Sequence, residues 1–336
     1  MIGGAVPVIA LTGHLGAGKT TLLNHLLRQP DSRIGVVIND FGEINVDAQW
    51  VSGQIGEPAS IAGGCLCCLT DSAGLDDALG KLSAPRFDLD AIVVEASGIA
   101  DPLALDRLLR FSTVKRIRPA GVIDVVDAVE HFRTVDVGAL PPARYAVTGL
   151  VVVNKIDLVP EPDRKALLDK ITDRVRHRNP AAQVVAVRQG RIDPVLLYDI
   201  SPRREESGQL SLQSLLAAEP VDHTGHRHAD SVTVTGTGPV DPARLVQLLD
   251  DLPAGAYRIK GTVTVLHPGG PRGYLINVVG ERVHLAGGAP VAQNQLVAIG
   301  LDLDREMVRA RLSRALQEGP ADADALRRLR RMMRAG

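Results

Sequence analysis

The stretch Gly13-His14-Leu15-Gly16-Ala17-Gly18-Lys19-Thr20 constrains this chain more than any other. A G-x-x-x-x-G-K-[ST] loop works only where a strand hands over to the N-terminus of a helix. Both flanks meet that demand: "AVPVIALTG" is a short apolar run ending in glycine, and "HLGAGKTTLLNHLLRQP" carries leucines at helical spacing until Pro30 stops it. In such a loop the glycines let backbone amides close around phosphates, Lys19 neutralises the β and γ oxygens, and Thr20 offers its hydroxyl to Mg²⁺. Gly13, Gly16, Ala17, Gly18, Lys19, Thr20 and Thr21 form the expected phosphate-binding set.

Further along, the apolar runs "IGVVIND", "LDAIVVEASG", "PAGVIDVVD" and "YAVTGLVVVNKID" alternate with helix-like stretches near 71–82, 101–110 and 161–177. That alternation predicts an α/β fold, a P-loop NTPase domain built on a mainly parallel sheet wrapped by helices. After about residue 200 the texture changes to "SPRREESGQ", a helix-like "LSLQSLLAAE" and the polar "PVDHTGHRHAD". Beyond it "SVTVTG", a helix around 241–251, glycine-punctuated strands between 256 and 301 and a helix from about 304 to 317 predict a smaller C-terminal α+β domain. The expected organisation is the P-loop domain over 1–220, a histidine-containing linker over 221–230, the second domain over 231–318 and a basic tail over 319–336.

Composition narrows the classes. With 45% hydrophobic residues, 23% charged residues and a formal net charge of −1, the chain has the balance of a globular protein. Such a balance gives no electrostatic case for nucleic acid or a membrane surface as the main partner. The one basic run, "ALRRLRRMMRAG", reads as a solvated helix face or as a stretch that seeks an acidic surface. No apolar run approaches the roughly 20 residues needed to span a bilayer. Three cysteines cannot pair off and no signal peptide is legible, so a cytoplasmic location is expected.

Two more strand ends carry nucleotide chemistry. "AIVVEASG" ends a strand in Glu95 and puts Gly98 three residues later, the spacing at which an acid can hold the magnesium shell and a glycine amide can sense the γ-phosphate. "GLVVVNKID" ends a strand in Asn154-Lys155-x-Asp157. A carboxylate at Asp157 can accept from the guanine N1–H and its exocyclic amine, donors that adenine lacks there. Asn154 would order the loop and Lys155 would lay its alkyl stem over the base, so GTP is expected over ATP. Gly98 is followed by Ile99 and not by a glutamine able to position water, which predicts hydrolysis that is slow unaided. Asp40, Glu43 and Asp47 in "NDFGEINVD" can orient water or touch magnesium, or form a solvated acidic loop. Lys19, Glu43 and Glu95 are the candidate catalytic set.

All three cysteines fall in "GGCLCC", as Cys65, Cys67 and Cys68. Thiolates favour soft or borderline ions, Zn²⁺ first, with cobalt, nickel or copper(I) also conceivable. One chain with three thiols cannot close a four-cysteine site, so the fourth ligand must be water, a carboxylate, a histidine, a second subunit or a client protein. An incomplete site suits delivery better than permanent structure. In extended chain Cys65 and Cys67 share a face and Cys68 points away, so all three converge only if the loop turns, as Gly63 and Gly64 permit. Inert buried thiols and a redox-active vicinal pair are the other readings of these residues.

Taken in order, "GHLGAGKTTLLN", "NDFGEINVD", "GGCLCC", "EASGIADP" and "NKID", then "RIKG" and "LVAIGLDLDRE", give the chain a resemblance over nearly its whole length to the CobW family of metal-handling GTPases, relatives of the nickel-insertion GTPases of hydrogenase and urease. The resemblance implies a GTP-dependent metallochaperone with Cys65, Cys67 and Cys68 in its metal motif and a metal-requiring client protein as partner. Candidate metal ligands are these three cysteines with Thr20, Glu43 and Asp40. The family's usual N-E-F-G-E reads here with Asp40 in place of the first glutamate, one methylene shorter, so Glu43 carries over more directly than Asp40. His223, His226 and His228 form a sparse histidine stretch, a weak metal reserve or a plain linker, and His131, His177, His267 and His284 are isolated and take no role. A monomer or a nucleotide- or metal-dependent homodimer is expected. The rival reading is a regulatory switch or scaffold with a structural metal; a small-molecule kinase is a third.

Overall fold

The computed structural model describes residues 5–29, 32–38, 59–60, 73–96, 101–198 and 229–335. These divide into two compact units, 5–198 and 229–335. The first is an α/β layer structure. Its elements are β1 (Val6–Gly13), α1 (Lys19–Leu27), β2 (Ile34–Ile38), β3 (Ala59–Ser60), α2 (Ala73–Leu82), β4 (Ala91–Glu95) and α3 (Pro102–Arg110). There follow β5 (Ile117–Asp127), α4 (His131–Thr134), β6 (Thr148–Asn154), α5 (Glu161–Arg178) and β7 (Gln183–Ala186).

The strands lie in the order β3-β2-β4-β1-β5-β6-β7, and each neighbouring pair is parallel. A parallel sheet covered on both faces explains why its strands read as continuous apolar runs: every residue of β4 is buried. Val8, Ala10, Ile92, Val94 and Val122 pack with Leu75 and Leu79 of α2 and Leu105 and Leu109 of α3. Val151 and Val153 of β6 pack with Ile171 and Val175 of α5 and with Tyr145. Each such aliphatic side chain withdrawn from water contributes about 1.5–3 kcal/mol.

Helix starts follow their caps. The Asp101 carboxylate accepts from the Leu103 amide at 3.0 Å with Pro102 at the first helical position, which fixes the entry of α3. The strand β7 was not legible as a separate run, because "QVVA" is only four residues long.

The second unit holds β8 (Asp230–Gly236), α6 (Pro242–Asp250), β9 (Ala256–His267), β10 (Gly270–Val279), β11 (Arg282–Gly288), β12 (Asn294–Gly300), α7 (Arg305–Ala315) and α8 (Ala323–Ala335). Its sheet is antiparallel in the order β11-β10-β9-β12-β8. Leu245, Leu249, Val308 and Leu312 from α6 and α7 pack against Ile259, Val263, Ile276 and Leu296 from the sheet.

One expectation is corrected here. The stretch from 319 is no separate tail, since Leu326 and Leu329 of α8 are 2% and 0% exposed within the same core. Leucines three apart, followed by Met332 and Met333, give α8 an apolar stripe that the sheet covers, and Arg327, Arg328, Arg330 and Arg331 stay exposed. The linker over 221–228 and the helix-like "LSLQSLLAAE" lie outside the described residues. Among the described residues no helix is long and apolar enough to cross a membrane.

Candidate nucleotide site

The loop after β1 carries its lysine folded back over itself. Lys19, 8% exposed at the start of α1, donates from Nζ to the carbonyl oxygens of Gly13 at 3.0 Å and His14 at 3.5 Å. Ala17 is buried at 1% exposure and its amide donates to the His14 carbonyl at 3.1 Å, which tightens the turn containing Gly16. Gly18 has φ +103°, and a Cβ there would lie 2.2 Å from Nδ2 of Asn154. Only glycine meets both demands, the left-handed backbone and the approach of a buried amide. Thr21, next along α1, is exposed.

Thr20 and Glu95 come together from different strand ends. The Thr20 hydroxyl donates to Glu95 Oε1 at 3.2 Å, and Glu95 is 3% exposed. The register explains it: Leu11 of β1 sits beside Glu95 of β4, so the helix that follows β1 starts over the end of β4. A hydroxyl and a carboxylate facing one another form an oxygen donor pair of the kind a hard divalent cation takes.

The Asn154-Lys155-x-Asp157 motif at the end of β6 is joined to the glycine loop by one side chain. Asn154, 2% exposed, donates from Nδ2 to the Ala17 carbonyl at 3.0 Å and accepts at Oδ1 from the Gly190 amide at 2.9 Å. Lys155 follows with φ +60°, and its ammonium meets Asp127 Oδ2 at 2.6 Å. Burial raises the Asp127 carboxyl, but hydrogen bonds from Lys155 and from the Val129 and Glu130 amides outweigh it and hold the group below the usual carboxylate range. Asp157 is exposed in a short 3₁₀ turn, Ile156–Leu158, whose backbone is braced by Arg164 donating to the Asp157 carbonyl at 3.2 Å.

Two parts of the site went unread in the sequence. The loop after β7 packs beside the Asn154-Lys155-x-Asp157 turn: Ile156 donates to the Val187 carbonyl at 3.4 Å, and Gly190 sits against α1, where a Cβ would be 2.6 Å from the Leu22 amide nitrogen. The signal was the glycine of "VRQG" after a short apolar run. Behind the phosphate loop, fully buried Asp124 accepts at Oδ1 from the Thr12 hydroxyl at 2.9 Å and from Arg144 at 2.6 Å. Burial pushes its carboxyl up, against the pull of Arg144, Thr12 and Lys19. An acid inside the apolar run "GVIDVVD" was the available signal, since a buried carboxylate needs a partner.

The structure thus brings Gly13, Gly16, Ala17, Gly18, Lys19, Thr20, Glu95 and Asn154 into one neighbourhood at the ends of β1, β4 and β6. Asp40, Glu43, Asp47, Cys65, Cys67, Cys68, Gly98, His223, His226 and His228 lie outside the described residues. Among the described residues no group of three histidine, cysteine or acidic side chains could hold a metal ion. His131 and His267, given no role, are buried partners of Tyr145 and Tyr274, each at 2.8 Å.

Comparison with known proteins places these features in context. The model of the CobW/HypB/UreG nucleotide-binding domain matches residues 7–186, and that of the cobalamin synthesis protein CobW C-terminal domain matches residues 229–316. The zinc chaperone CobW of a Sinorhizobium species is 28% identical over 349 residues, covering 92% of this chain and 97% of the relative. The zinc chaperone YjiA of Escherichia coli strain K12 is 28% identical over 324 residues, covering 91% and 97%. The crystal structure of the Zn(II)-bound YjiA GTPase from E. coli aligns at 24% identity with a TM-score of 0.42, covering 94% of this chain and 100% of that one.

Proposed function

Because the chain belongs to the CobW/HypB/UreG family, we propose that it is a GTP-hydrolysing metallochaperone that binds a transition metal, zinc first, at Cys65, Cys67 and Cys68 and passes it to a client protein. The observation that supports the nucleotide half is the Asn154 bridge, which ties the strand end carrying Asn154-Lys155-x-Asp157 to the glycine loop, as one receptor for base and phosphates requires. The metal half is supported by the clustered thiols and by curated relatives named as zinc chaperones.

In the reaction a water oxygen forms a bond to the γ-phosphorus as the bond from that phosphorus to the β–γ bridging oxygen breaks; GDP departs with the bonding electron pair, and both water protons leave on inorganic phosphate or pass from it to solvent. Lys19 compensates charge on the β and γ oxygens. Thr20 and Glu95 would hold Mg²⁺, which when bound supplies positive charge to the same oxygens. Asp157 accepts from guanine, and Lys155 covers one face of the base. Gly98 senses the γ-phosphate, and Glu43, with Asp40, lies in the acidic segment that orients water or reaches an ion. Without a glutamine after Gly98, turnover is slow until a partner assists.

Nucleotide state then sets how firmly the thiols hold their ion. Emptying a site from 99% to 1% occupancy takes about 5.5 kcal/mol of differential affinity. A closed thiolate zinc site binds with roughly 10–16 kcal/mol, so only an under-coordinated site is emptied by such a shift. The test is a Zn²⁺ titration of the protein loaded with GDP or with a non-hydrolysable GTP analogue, repeated with Cys67→Ser. The reading expects unequal zinc affinities in the two states and weak binding by the variant; equal affinities overturn it. Loss of fold stability on chelation would favour a switch protein with a structural metal.

A further inference from the structure

We infer that Asp127 is the positioning residue for guanine recognition, the fixed anchor that holds Lys155 across the face of the base. The inference rests on the guanine reading above and names a residue that the N-K-x-D motif does not contain.

The two oxygens of Asp127 have separate tasks. Oδ1 accepts from the backbone amides of Val129 at 2.9 Å and Glu130 at 3.3 Å, which closes a turn at the end of β5. Oδ2 is thereby aimed at a fixed point, and there it meets the Lys155 ammonium at 2.6 Å. The turn supplies the orientation without the lysine, so the carboxylate is host and the lysine its guest. The pair is only partly exposed, 14% for the Asp127 side chain and 36% for Lys155. A charge-assisted bond in that setting is stronger than one on open surface.

Register makes the anchor exact to one position. In the parallel pairing of β5 with β6, Asp127 lies beside Asn154, and the Ala128 amide donates to the Asn154 carbonyl at 2.9 Å. Residue 155 therefore leaves the sheet next to the carboxylate, and its left-handed φ of +60° turns the chain there. An unanchored lysine stem has four rotatable carbons and samples many rotamers. Tied at its far end, it is a ready-made lid for a planar ring, and the ordering cost falls on the free protein and not on the binding step.

The experiment uses the full chain and measures affinity for GDP, ADP and inorganic pyrophosphate. Asp127→Asn keeps an oxygen for the two backbone amides and removes the acceptor for lysine. Lys155→Met keeps an apolar stem and removes the ammonium. Each variant is expected to weaken GDP binding by about tenfold and to leave pyrophosphate binding unchanged, with the double variant no weaker than either single one. Unchanged GDP affinity in Asp127→Asn overturns the inference, as do additive losses in the double variant or an equal loss for pyrophosphate. Wild-type protein that binds ADP as tightly as GDP overturns the guanine reading and this inference with it.

Discussion

Asn154 donates from Nδ2 to the carbonyl oxygen of Ala17 at 3.0 Å, so the end of β6 and the glycine loop after β1 meet through one buried amide. Its Oδ1 meanwhile takes the Gly190 amide at 2.9 Å. Three segments far apart in sequence, residues 17, 154 and 190, depend on that side chain.

Replacing Asn154 with alanine leaves the Ala17 carbonyl and the Gly190 amide without this partner. A cost of about 2–3 kcal/mol in unfolding free energy is expected. Urea denaturation of wild type and variant measures it, and GDP affinity should fall in parallel.

Gly18→Ala tests the loop geometry directly. The backbone strain of a side chain in the left-handed region is about 1–2 kcal/mol, and the added methyl would meet Asn154 Nδ2 at 2.2 Å. Displacement of the amides that follow is expected to cost about a hundredfold in GTP turnover. A steady-state phosphate-release assay reads this.

Glu95→Gln keeps the shape of the side chain that accepts from Thr20 and removes its charge. GTP turnover should fall about a hundredfold, and the magnesium concentration giving half-maximal turnover should rise. An unchanged magnesium requirement would separate Glu95 from the cation.

His131 gives the first unit an acid-sensitive spot. It is fully buried, bonded to the Tyr145 hydroxyl, and burial pushes its pKa down to about 4, with Arg144 and Arg174 adding to the effect and Asp136 opposing it. The unfolded chain titrates near 6.5, so between those values the unfolded state binds more protons. Stability from this group is complete above about pH 6.5 and is lost as pH falls toward 4, by up to about 3 kcal/mol. Comparing urea midpoints of wild type and His131→Gln at pH 7.5 and pH 5 checks the sign: the wild type should lose more on acidification.

Leu329→Ala should destabilise the second unit by about 2–5 kcal/mol, because α8 supplies part of its core. Arg331→Ala, on the exposed face, should change stability by less than about 0.5 kcal/mol. Amide hydrogen exchange over 229–335 distinguishes the two.

How much of this was legible in the sequence depended on the distance over which a residue's environment is decided. The phosphate loop, Glu95 and Asn154-Lys155-x-Asp157 could be read because each lies where an apolar run stops, a purely local pattern. Asp124 could not be placed, since what tolerates its burial is Arg144, twenty residues on and from a different element. Asp127 looked like the last residue of a strand; its contact with Lys155 needed the β5 and β6 register. The basic run was seen by its charge, and its leucines, which decide where it sits, declared themselves only against the sheet they cover. Short "QVVA" lacked the length to announce β7, and with it the Gly190 contact was missed.

The strand leading into the phosphate loop, β1, is the middle member of its sheet, paired over Val8–Leu11 with β4 on one side and over Val6–Gly13 with β5 on the other. It behaves as an anvil. Displacing such a strand would mean breaking parallel ladders on both of its sides at once, so the glycine loop that follows Gly13 starts from a point the sheet holds still.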